Sequence, residues 1–148
     1  MNKIKTYYPN ILVALQFGII AIMILLSHNF FKTLYPMAIF SFGAVLGVWA
    51  LMHNRVGNFN IQPKLKENSI LVTTGVYGYI RHPMYSSVVL MTFALMVTNA
   101  TLLNVLLFLA LIIVLLLKAK REETLWCDHD EAYIAYKKRS KFFIPFLV

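Results

Sequence analysis

Acidic residues are scarce in this chain: six Asp and Glu stand against fourteen Lys and Arg. One acid is Glu67, and the other five, Glu122, Glu123, Asp128, Asp130 and Glu131, all follow the last long apolar run. Chemistry that needs a carboxylate is confined to those two places. Cysteine is scarcer still. Cys127 stands alone, which excludes an intrachain disulfide framework and a zinc site of the multi-cysteine kind; no metal is expected. No Gly-x-Gly-x-x-Gly loop occurs, so a soluble dinucleotide-binding fold has no support. In place of charge the chain has apolar residues: 59% are hydrophobic and the mean hydropathy is positive, above what a soluble domain carries. The sequence reads as a membrane protein, and its length as one domain, 1–148. The basic residues flank apolar runs and form no separate soluble domain, so topology explains a net charge of +8 better than nucleic acid does.

The apolar runs predict an all-α bundle of about four transmembrane helices with an interfacial helical tail. The first run, 11–27, is interrupted only by Gln16 and spans about 25 Å as a helix, enough to cross. Its charged start resembles a signal peptide, but Ser27-His28-Asn29-Phe30 offers no small-x-small cleavage site. The second run, 33–52, has Pro36 near its start, where a missing N–H does little harm. Gly43 and Gly47 lie four apart within it, a spacing that lets another helix approach closely. Runs 84–98 and 102–117 form a hairpin closed by Asn99-Ala100-Thr101; 118–148 is the tail. Two Lys or Arg precede the first span, one, Lys32, separates the first two, four lie in the long loop, none in the hairpin turn, and seven follow the fourth span. The positive-inside rule then puts thirteen on one face and one on the other. A multi-pass protein with both termini cytoplasmic is expected, with all six acids on the same face as the termini.

Between the second and third spans the chain is a long polar loop. Within it Ser69 to Gly75 is short and β-branched, read as an irregular or strand-like piece tucked against the bundle. Gly75-Val-Tyr-Gly-Tyr-Ile-Arg-His-Pro-Met-Tyr85 then crowds a permanent cation, an imidazole and three phenols beside an apolar run. Aromatic and basic residues gather at headgroup level for packing reasons alone. Ionisable groups beside a membrane segment are also costly, and mark a functional site by default. Arg121, Glu122 and Glu123 decide between these readings, because the hairpin returns them to the depth of His82. Lys137, Lys138, Arg139 and Lys141, on the amphipathic tail, suit anionic headgroups.

Asn58-Phe-Asn-Ile-Gln-Pro63, Leu71-Val-Thr-Thr-Gly-Val-Tyr77, Arg81-His-Pro-Met-Tyr85, Arg121-Glu-Glu123, and Tyr133-Ile-Ala-Tyr-Lys-Lys-Arg139 with Ile144-Pro145 together resemble a family. It is that of the membrane-embedded isoprenylcysteine carboxyl methyltransferases and their phospholipid N-methyltransferase relatives. The likeness covers Asn58 to Pro145, and the first two spans carry no comparable motif. It implies an S-adenosylmethionine-dependent methyltransferase whose cofactor is held by Gly75, Tyr77, His82, Pro83, Tyr85 and Glu123. Arg121 and Glu122 would then lie nearer the methyl-transfer centre. The chain departs from the family pattern at Ser87, His129-Asp130 and Ser140-Lys141.

The residues suit that chemistry. A methyl sulfonium is a cation with an activated leaving group, so the protein mainly has to align donor and acceptor and exclude water. Acids and aromatic rings suit the cation: Glu123 for charge or ribose hydroxyls, Tyr77 and Tyr85 for cation-π contact. A carboxylate acceptor needs only orientation, by the Arg121 fork; an amine needs a proton removed, by His82 or Glu122. The partners implied are the bilayer and a lipophilic acceptor, either an isoprenylcysteine carboxylate, a phospholipid amine or a small lipophilic thiol. An NADPH-dependent sterol-type reductase, which shares a similar Arg-His-Pro-x-Tyr, and a non-catalytic scaffold of the same fold are the alternatives.

Overall fold

The computed structural model describes residues 3–28, 30–54, 61–64 and 69–143. Asn58 to Asn60 of the first matching piece, Glu67, and Ile144-Pro145 lie outside the described residues. Five α-helices follow in order: α1 Lys3–Leu26, α2 Leu34–His53, α3 Pro83–Thr98, α4 Leu102–His129 and α5 Ala132–Arg139. Among the described residues there is no strand, only an isolated parallel bridge between Ile80 and Lys141. The protein is an all-α membrane bundle. Helices α1, α2 and α4 are each long and apolar enough to cross a bilayer. Helix α3, with 16 residues, is about 24 Å long at 1.5 Å per residue.

Two boundaries differ from expectation. Helix α1 begins at Lys3 and contains Pro9, which lies beyond the first turn and so removes one i→i−4 hydrogen bond from the helix. Helix α4 does not end with its apolar run at Leu117 but continues to His129, because Lys118-Ala-Lys-Arg-Glu-Glu are all strong helix formers. It therefore carries its charged end about 18 Å beyond the apolar run. Asp130 ends it, and the Asp130 Oδ1 accepts the N–H of Ala132 at 2.9 Å, a local side-chain turn that starts α5.

Packing pairs α2 with α3 and α1 with α4 more extensively than it pairs the two arms of the α3–α4 hairpin. The glycines of α2 explain the first pairing. A Cβ on Gly43 would stand 3.0 Å from Leu90 and Met91, and one on Gly47 only 2.5 Å from the Ser87 hydroxyl. Ser87 donates to the Gly43 carbonyl at 2.7 Å, so the serine that departs from the family pattern is accommodated by the glycines facing it. At the hairpin turn Thr101 caps α4, Asn104 Nδ2 donates to the Asn99 carbonyl at 2.7 Å, and Asn99 Nδ2 to that of Leu26 at 3.2 Å. One end of the bundle is thereby tied. At the other end the loop, the start of α3, the charged end of α4 and α5 converge.

Candidate active site

Residues 79–82 approach α3 beside 140–143, joined to them by the isolated parallel bridge of Ile80 and Lys141. The Arg81 N–H donates to the Lys141 carbonyl at 2.8 Å, and the Lys141 N–H to that of Tyr79 at 2.9 Å. His82 caps α3 and Pro83 takes its first turn, where proline costs nothing. The C-terminal segment thus covers the α3 start, and Ser86 Oγ fastens it further on the Phe143 carbonyl at 2.6 Å. Gly75 has φ +59, a left-handed conformation that favours glycine. The His53 ring lies so close that a Cβ there would be 2.1 Å from it.

Consecutive residues on an α-helix point roughly 100° apart, so Arg121, Glu122 and Glu123 cannot share one direction. Arg121 Nε donates to the Pro63 carbonyl at 3.2 Å and its guanidinium stands 5.6 Å from the centre of the Tyr8 ring. Glu123 is buried, with Oε1 2.5 Å from Arg81 Nε and Oε2 2.7 Å from Lys137 Nζ. Arg81 also donates through Nη1 to the carbonyls of Lys137 and Ser140. Glu122 accepts the Tyr85 hydroxyl on Oε1, and its Oε2 is 3.7 Å from His82 Nδ1. His82 Nε2, buried, is 3.5 Å from Glu123 Oε1, beyond good hydrogen-bond length, and has no closer partner among the described residues. The His82 ring stacks on Tyr85 with centres 5.6 Å apart and meets Phe142 edge-on at 5.0 Å.

A cavity of about 220 Å³ opens where these elements meet. Tyr77, His82, Pro83, Tyr85 and Glu122 line it; Gly75, Arg121 and Glu123 do not. Glu123 instead fixes the wall, joining α4 to the α3 approach and to α5. Among the other lining residues, Trp126, Tyr133 and Tyr136 at the α5 side and Lys118 toward α1 were not singled out as site residues by sequence. Trp126 stacks on Tyr133 with centres 5.9 Å apart, and the Tyr136 hydroxyl donates to the Tyr77 carbonyl at 2.6 Å. A signal for two of them was present. Lys118, Glu122 and Trp126 recur every fourth residue and so lie on one face of α4, a polar and aromatic stripe continuing an apolar helix.

Burial and charge set the ionisation beyond the apolar runs. Burial raises the Glu122 carboxyl, only partly opposed by His82, Tyr85 and Lys118. Burial pushes the Glu123 carboxyl up as well, but His82, Lys137 and Arg81 outweigh it and hold the group at about 2. Burial pushes Tyr136 up to about 12 and raises Tyr77 and Tyr133 further, so these phenols are neutral donors. Among the described residues no group of three His, Cys, Asp or Glu side chains could hold a metal ion.

A family model described as "Isoprenylcysteine carboxyl methyltransferase (ICMT) family" matches residues 34–127, more than half of the chain, from α2 through the loop and α3 to the charged end of α4. No curated protein matches the chain.

Proposed function

The chain belongs to the isoprenylcysteine carboxyl methyltransferase family, and we propose that it transfers a methyl group from S-adenosylmethionine to a lipophilic acceptor at the cytoplasmic membrane face. The observation that carries this reading is the cavity lining, in which the aromatic side chains of Tyr77, Tyr85, Trp126, Tyr133 and Tyr136 accompany the carboxyl of Glu122. That donor set fits a ligand with a positive centre and a flat base, which aromatic faces and an acid both favour. When bound, S-adenosylmethionine supplies a methyl group on a cationic sulfur with its leaving group already activated. Tyr77, His82, Pro83, Tyr85 and Glu122 would hold it, over a wall that Glu123 keeps in place and with Gly75 shaping the turn below.

Tyr85 fixes Glu122 by a hydrogen bond and His82 flanks it. Glu122 therefore presents a carboxyl whose proton is not committed to a salt bridge, able to balance positive charge or to take a proton from an amine acceptor. Arg121 serves the acceptor side by holding Pro63, whose neighbours Ile61 and Gln62 line the cavity. A second, apolar cavity of about 580 Å³ lies along α1 and α3, and Val88 lines both. It continues the stripes Phe17, Ile20, Ile24 on α1 and Met84, Val88, Met91 on α3 at helical spacing. The acceptor's hydrocarbon chain occupies this groove, with its head at the polar cavity. Four crossings, with thirteen of fourteen basic residues and both termini on the cytoplasmic side, complete the arrangement as a single domain.

Calorimetry on the detergent-solubilised protein tests it, titrating S-adenosylmethionine, S-adenosylhomocysteine and NADPH separately. Binding of the two adenosyl ligands without NADPH binding is expected. Tight NADPH binding with no response to S-adenosylhomocysteine would replace methyl transfer by reduction.

A further inference from the structure

Lys118 is 2% exposed and lines the cavity. Its Nζ donates to Gln16 Oε1 at 2.5 Å and to the Ile61 carbonyl at 3.0 Å, and it stands 5.4 Å from the centre of the Tyr85 ring. An ammonium has three N–H donors, and two of these go to neutral oxygens. Among the described residues no carboxylate lies within ion-pair distance of it. Glu123 is committed to Arg81 and Lys137, and Glu122, one turn along α4, engages Tyr85 and His82. A long surface lysine would extend its head to water; this one turns inward, toward a polar side chain of α1 that itself interrupts an apolar run. Burying a cation without a counter-charge is costly. The cost is offset if an anion completes the site, and the third N–H together with the adjoining cavity leaves room for one.

We propose that Lys118, held by Gln16 and Ile61, is a carboxylate-binding subsite of this cavity, deepening the methyl-transfer reading on which it rests. A carboxylate oxygen suits it: one negative charge, an acceptor for the third N–H, which has no oxygen partner among the described residues, and a short reach along the α4 stripe to Glu122 and Trp126. Two sources carry that chemistry, the amino-acid end of the cofactor and the head of an acidic lipophilic acceptor. The first would place its ammonium toward Glu122, one turn away; the second would place its chain toward the apolar groove at Val88.

The test uses full-length protein in detergent, wild type and Lys118→Met, with two ligand pairs that differ only in the carboxylate. One is S-adenosylhomocysteine and its decarboxylated analogue; the other is dodecanoate and dodecanamide. In wild type the carboxylate member of one pair binds about tenfold tighter or more, the scale of a charge-assisted hydrogen bond. Lys118→Met abolishes that preference while leaving the carboxylate-free member unchanged. The pair affected identifies the source. If Lys118→Met fails to fold, Lys118→Arg retains the preference and Lys118→Gln loses it. Preferences that survive substitution in both pairs, or equal weakening of all four probes, overturn the subsite. A protein that selects dodecanoate through Lys118 yet binds neither S-adenosylmethionine nor S-adenosylhomocysteine keeps the subsite and loses the methyl-transfer reading.

Discussion

Glu123 sits among Arg81, Lys137 and His82, and Glu122, one residue earlier on α4, sits at the cavity beside Tyr85. Burial acts on both in the same direction; the partners differ. Around Glu123 two permanent cations lie within ion-pair distance, so the charged form wins and the carboxyl is held at about 2. Around Glu122 the nearest partners are a phenol and an imidazole, and burial wins, raising the carboxyl. One helix step thus separates a group locked in one charge state from a group whose charge state is adjustable. Locked groups build walls. Adjustable ones facing a cavity take part in chemistry.

The largest expected effect tests the adjustable side. Glu122→Gln keeps the volume and the bond from Tyr85, and should lower methyl-transfer turnover on the order of 10³-fold, within the range of a lost acid-base or charge-balancing group. Thermal stability should change little, and S-adenosylhomocysteine affinity should fall far less than turnover. Next comes the locked side. Arg81→Met leaves the buried Glu123 with Lys137 as its only permanent cation within ion-pair distance among the described residues and should cost about 3 kcal/mol of stability, as breaking a buried pair does, read by denaturation in detergent. If Glu122→Gln unfolds the protein while Arg81→Met affects only turnover, the roles of the two carboxylates are reversed.

How much of this contrast is legible in the sequence follows from what kind of signal each part leaves. Hydropathy and the basic asymmetry depend on composition over long windows, so the all-α membrane class stands out, and the meeting of Arg81-His82-Pro83 with Arg121-Glu122-Glu123 follows from the short Asn99-Ala100-Thr101 turn. The direction of each side chain depends on helix phase, which a three-residue motif conceals. Grouped as a motif, Arg121, Glu122 and Glu123 look like one constellation; on α4 they face the loop, the cavity and α5. Lys118 counts as one more basic residue in a topology argument, and only its spacing to Glu122 and Trp126 marks it otherwise. Gln16, the lone polar residue of its apolar run, becomes meaningful once Lys118 is found bonded to it. The extension of α4 beyond Leu117 is visible as helix propensity, but its end at His129 depends on the Asp130 side chain.

A smaller effect separates Glu122 from its orienting partner. Tyr85→Phe removes one hydroxyl that donates to Glu122 and keeps the ring that stacks on His82. A hydrogen bond to a charged group contributes about 1.5 kcal/mol, so turnover should fall roughly tenfold, with S-adenosylmethionine affinity preserved by the ring. A loss as large as that of Glu122→Gln would mean that the hydroxyl, and not the carboxyl, is the group the reaction uses.

The smallest expected effect is a pH dependence of opposite sign at the two carboxylates. A carboxyl held below its unfolded value contributes stability that is present above the unfolded value and lost progressively as pH falls from there through the folded one. Glu123, at about 2, therefore contributes a constant amount across the whole neutral and mildly acidic range. A carboxyl raised above its unfolded value does the reverse: it favours the folded state below the unfolded value, and that contribution is lost as pH rises through the folded one. Acidifying from the neutral range toward the unfolded carboxyl value then favours the folded state, in which Glu122 holds its proton more tightly, and should stabilise the protein. Thermal denaturation of wild type, Glu122→Gln and Glu123→Gln over that range separates the two. The gain should vanish in Glu122→Gln, which carries no titrating group there, and persist in Glu123→Gln. A gain that disappears with Glu123 instead would show that the buried pair with Arg81 is not holding its charge, and that the wall, not the cavity, is the part of this site that responds to protons.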